Sequence, residues 1–124
     1  MKTISLALLI LLSINTLLAE DKTYSGLYVY GKDVNTFQPC GGKVFWADGS
    51  DLVMGPVEKF YKEEVREPGQ AIYVMVRGHR HFEESKPPVS DYDGIFHVSE
   101  VFLFSSVVPD TCSSQEENTT KETK

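Results

Sequence analysis

No cysteine precedes Cys40, and Cys112 is the only other one in the chain. A lipoprotein leader ends in the cysteine that carries the lipid, so no lipid anchor is expected. A C-x-x-C metal or redox motif is likewise missing. There is no G-x-S-x-G turn of the kind that presents a hydrolase nucleophile, and Ser90, Ser99 and Ser105 lack that setting. No glycine-rich phosphate loop occurs either; Gly41-Gly42 follows a cysteine and reads as a turn. Beyond residue 19 no apolar run approaches the roughly 20 residues that cross a bilayer. Basic residues are scarce as well. Lys2 is the only one in the first 19 positions, which leaves 11 of the 12 against all 18 acidic residues, a net charge of −7. Such a surface repels phosphate backbones, whose attraction supplies most nucleic-acid affinity. Nucleic acid is therefore not expected as a partner.

The first 19 residues have the form of a secretory leader. Lys2 gives a short positive start, Ile4 to Leu18 is nearly all Ile, Leu and Ala, and Ala19 precedes the polar Glu20-Asp21-Lys22. A short apolar run ending in a small residue reads as a signal peptide cleaved near Ala19. Ser13, Asn15 and Thr16 dilute the run below what a stable membrane anchor needs. The expected product, from Glu20 onward, is periplasmic or secreted and has the size of one domain.

Outside the cytoplasm an isolated pair of cysteines most often forms a bridge. The alternative, a pair of metal or redox thiols, usually has its two members close together in sequence, and Cys40 and Cys112 are not. A bridge between them would close a loop of about 70 residues, worth roughly 4 kcal/mol in the chain-entropy model.

Hydrophobic periodicity divides the rest. Tyr24 to Tyr30 alternates with period two, Leu27 and Val29 on one face and Tyr28 and Tyr30 on the other, which marks a half-buried strand. Thr36 to Gln38 is a second strand, ended by the turn Pro39-Cys40-Gly41-Gly42, and Lys43 to Ala47 a third. Val57, Phe60, Tyr61 and Val65 then fall on one helical stripe. Pro56 suits the first turn of that helix, with Leu52, Val53 and Met54 allowing an onset near Asp51, and Pro68-Gly69 ends it. Ile72, Val74 and Val76 alternate with Tyr73, Met75 and Arg77 in a fourth strand that can run to Phe82. Lys86 to Tyr92 is a loop. Ile95 to Val108 is the fifth strand, with a kink or bulge at Ser99-Glu100, and residues 113–124 form a polar tail expected to be disordered. Three strands, a helix and two strands are the order of a mainly β, five-stranded OB-like barrel over residues 20–112, with the helix between strands three and four.

The ordered series Gly26-Leu27-Tyr28-Val29-Tyr30, Phe37-x-x-Cys40 and Gly42-Lys43-Val44-Phe45 resembles the C-terminal OB-like domain of the NlpE lipoprotein family. The helix bearing Glu58 and Tyr61, the Gly78-His79 step and Cys112-Ser113-Ser114 are similar as well. That family belongs to the Gram-negative outer membrane and is tied to copper homeostasis, surface adhesion and envelope stress. The resemblance implies a Cys40–Cys112 disulfide, export and an OB-like fold. It does not carry over copper capture or the reporting of failed lipidation, because the C-x-x-C motif and the lipid-bearing cysteine are missing here.

Three sets of side chains are candidates for chemistry. His79 and His81 share one face of strand four, about 7 Å apart, with Glu83 and Met75 of the same parity. Two imidazoles and a carboxylate suit copper or zinc, although two exposed histidines at a strand end are the commoner arrangement. His97 stands alone in an apolar strand and reads as a packed or edge residue. Tyr28, Tyr30, Trp46 and Tyr73 could form an aromatic platform on the outer face, of the kind with which OB barrels bind oligosaccharides and peptides; cross-strand packing is the plainer role for such rings. Asp91, Asp93, Glu83 and Glu84 flank the proline loop and could supply acid–base carboxylates, but acidic loop residues are usually just solvated. The expected function is a non-catalytic binding module with an envelope protein or glycan as partner. The alternative is a copper- or zinc-binding protein using His79 and His81.

Overall fold

The computed structural model describes residues 20–81 and 89–113. The leader, Glu83, Glu84 and the tail after Ser113 lie outside the described residues, and the expectations placed on them are not addressed by the fold.

The chain forms a closed five-stranded barrel in the order β1-β2-β3-β5-β4, with β4 returning to pair with β1. The strands are β1 (Lys22–Tyr30), β2 (Asn35–Pro39), β3 (Phe45–Asp48), β4 (Ile72–His81) and β5 (Ile95–Ser105). Helix α1 (Asp51–Glu64) lies between β3 and β4, and a short helix, α2 (Asp110–Ser113), ends the described chain. All pairings are antiparallel except β3 with β5. This is the mainly β, OB-like barrel that the alternation of strands and helix predicts.

Helix α1 begins at the earlier of the two possible onsets. The Ser50 hydroxyl caps it by accepting from the Val53 amide at 3.3 Å. Pro56 thus lies in the second turn rather than the first, where it has no N–H to give the Leu52 carbonyl four residues back. Met54, Val57 and Tyr61 are the buried stripe; the helix packs chiefly on β5, with Phe60 against Phe104 at 4.8 Å between ring centroids. At the far end of the barrel the core closes on Phe96, with Phe37 at 4.7 Å and Tyr24 edge-on at 5.0 Å.

Two glycines let strands approach closely. A Cβ at Gly26 would lie 2.4 Å from the Gln38 carbonyl oxygen, and one at Gly78 would lie 2.0 Å from that of His97. Strand β5 carries two register shifts against β4, one at Phe102 and one at Ser99; the second is the bulge expected at Ser99-Glu100. Strand β5 ends at Ser105 rather than Val108, and Ser113, assigned to the tail from sequence, closes α2.

Cys40, just past β2, is joined to Cys112 of α2, with 4.7 Å between their Cα atoms. The bridge ties the C-terminal segment to the barrel, and Cys112 is 4% exposed. Among the described residues no helix is long and apolar enough to cross a membrane.

Candidate functional site

The four aromatics expected on one outer surface are dispersed. Tyr28 is 2% exposed and belongs to the core. The buried side of β1 is the one bearing Gly26 and Tyr28, not Leu27 and Val29. The barrel accepts the phenol because its hydroxyl is satisfied inside: it donates to Oδ1 of Asn35 at 2.7 Å, and Nδ2 of Asn35 donates to the Ala47 carbonyl at 3.3 Å. Burial pushes the Tyr28 hydroxyl pKa well up. Tyr30 stacks on Tyr28, with the Lys62 ammonium 5.4 Å from its ring, in a shallow basin at the helix end also lined by Lys32 and Tyr61. Trp46 packs beside Tyr92 on β3, while Tyr73 lies on β4. Strand β5 separates those two strands, so no common platform exists.

At the opposite end of the barrel is a cleft of about 350 Å³. Tyr24 and Phe45 give it an apolar floor, Pro39 and Gly42 one wall, and Lys43, Arg80 and Asp93 charged groups. The Arg80 guanidinium sits 5.9 Å from the Phe45 ring centroid, a cation–π placement. The segment before β5 is pinned to β3, Asp93 N–H donating to Val44 O at 3.1 Å and Trp46 N–H to Gly94 O at 3.0 Å. This is where Asp93 enters; Asp91 lies in a separate 3-10 turn, Val89–Asp91.

The histidines gather on the outer wall. His79 and His97 are direct partners across the β4–β5 ladder, their ring centroids 5.3 Å apart, and the His81 ring is 6.0 Å from that of His79. His97, read from sequence as an isolated strand residue, is thus part of the cluster. Two carboxylates border it. Asp21 meets Nδ1 of His79 at 2.7 Å, and Asp48 meets Nδ1 of His97 at 3.3 Å. The hydrogen bond from His79, then one from Ser99, holds the Asp21 carboxyl below its ordinary pKa. Among the described residues no three such side chains have converged on one point where an ion would sit.

No family model, curated protein or solved structure matches the chain.

Proposed function

We propose that the chain is exported, loses its leader near Ala19 and acts as a non-catalytic binding module in the cell envelope, of the kind implied by the resemblance to the NlpE C-terminal domain. The observation that carries this reading is the cleft over Tyr24 and Phe45. Its volume falls in the range of binding pockets, and an apolar floor with a few charged groups is the usual design of one. Lys43 and Arg80 suit an acidic group beside an apolar side chain, which favours a segment of an envelope protein over a neutral glycan. The Cys40–Cys112 bridge is compatible with an oxidising compartment. The Lys43→Glu/Arg80→Glu double variant tests the reading in a pull-down from native envelope extracts. The wild-type chain should retain a specific partner that the variant loses while keeping its melting temperature. Equal capture by both would remove the cleft from the interaction.

A further inference from the structure

We propose that His79, His81 and His97 form one binding site for a divalent transition-metal ion, with Cu(II) preferred over Zn(II), on the outer wall of the barrel and separate from the cleft. The carboxylate partners set the tautomers. A carboxylate only accepts hydrogen bonds, so Nδ1 of His79, 2.7 Å from Asp21, is the donor in that pair, and Nδ1 of His97, 3.3 Å from Asp48, is the donor in the other. In the neutral imidazole this places the lone pair on Nε2 of both rings. A carboxylate on one ring nitrogen with the other nitrogen left to ligate is the recurrent arrangement around protein-bound metals, where it orients the ring and raises its basicity.

Spacing agrees with this. Metal–nitrogen bonds of about 2.0–2.1 Å put two imidazole centroids roughly 5 Å apart on a tetrahedral ion and about 4.5 Å apart at neighbouring positions of the tetragonal sites that Cu(II) prefers; His79 and His97 stand at 5.3 Å, so a Cu(II) ion draws the two rings slightly together. The His81 ring, at 6.0 Å from His79, needs to come in by about 1 Å, a side-chain rotation at the last residue of β4. The backbone is fixed where it matters. His79 and His97 are opposite each other in the ladder, and Gly78 allows the two strands to close there. Asp21 and Asp48 add negative charge that favours a cation. Three imidazoles with no thiolate suit copper or zinc, and copper binds more tightly at nitrogen sites generally.

The test is calorimetry of the tag-free chain with Cu(II) and with Zn(II), on wild type and on His79→Ala, His81→Ala, His97→Ala and Asp21→Asn. One Cu(II) per chain should bind with submicromolar affinity, weakened tenfold or more by each histidine substitution, His97→Ala included. Asp21→Asn should cost about tenfold, as loss of such an outer partner does elsewhere. Electron paramagnetic resonance of the Cu(II) form should show three coupled imidazole nitrogens, a readout that needs no variant to fold. Affinity no tighter than tens of micromolar, indifference to His97→Ala, or fewer than three coupled nitrogens would overturn the site.

Discussion

The phenol of Tyr28 and the amide of Asn35 are joined inside the barrel by a 2.7 Å hydrogen bond, and Asn35 in turn holds the Ala47 carbonyl, so one polar chain links β1, β2 and β3. Tyr28→Phe removes the donor and leaves Oδ1 of Asn35 without it. Asn35 is only half-buried, so water can partly replace the lost donor, and the expected cost is the net value of one hydrogen bond, about 1 kcal/mol. Urea denaturation should show a loss of that size, while capture of a partner at the cleft is unchanged. Unaltered stability would show that the bond contributes nothing.

The Cys40–Cys112 bridge spans a sequence separation of 72. Replacing both cysteines by alanine frees that loop in the unfolded chain and should lower stability by about 4 kcal/mol. The intact mass of the native protein should be about two units below that of its reduced form. Denaturation midpoints that do not respond to reductant would contradict a stabilising role.

The strand order, the helix and the bulge at Ser99 were all legible in the sequence, because period two and period 3.6 are direct imprints of pleat and helix. Which face of β1 turns inward was not. Leu27 and Val29 on one side and Tyr28 on the other are all able to fill a core, and the partner that satisfies the Tyr28 hydroxyl, Asn35, lies on another strand. The candidate site was half legible. Alternation puts His79 and His81 on one face, but their meeting with His97 depends on register. Tyr73 pairs with Ser105 and Met75 with Leu103; continued without shifts, that register would set His79 opposite Ser99. The two bulges in β5 move the pairing by one residue each and bring His97 there instead. Alternation also separates the two sites: Arg80 lines the cleft while the histidines on either side of it lie on the wall.

Gly78 makes a sharper test of that register. An added Cβ would collide with the His97 carbonyl oxygen at 2.0 Å and approach the Phe96 ring at 2.9 Å, and neither backbone nor core ring can yield cheaply. Gly78→Ala should destabilise by about 3 kcal/mol or more, a fall in melting temperature of roughly 10 °C or more in a domain of this size. Hydrogen exchange should quicken along β4 and β5 near residues 78 and 97. A variant as stable as wild type would mean that the strands do not approach there.

Acid should remove the contribution of Asp21 to stability. The Asp21 carboxyl is held below its ordinary value of 3.8, first by the hydrogen bond from His79 and then by that from Ser99. A carboxyl whose pKa is depressed by folding binds protons more readily in the unfolded chain, so its contribution is present above the unfolded value and is lost as pH falls through the folded one. Wild type should therefore exceed Asp21→Asn in melting temperature at pH 7, and the gap should shrink below about pH 4 and close once the carboxyl is protonated in both states. Two substitutions separate the causes. By carboxyl-carbon NMR, His79→Ala should raise the Asp21 titration more than Ser99→Ala does, since the imidazole is the larger influence. A gap that stays constant from pH 7 into the acid range would mean that the aspartate acts through packing alone. A titration unmoved by His79→Ala would mean that the imidazole is not what holds the carboxyl down.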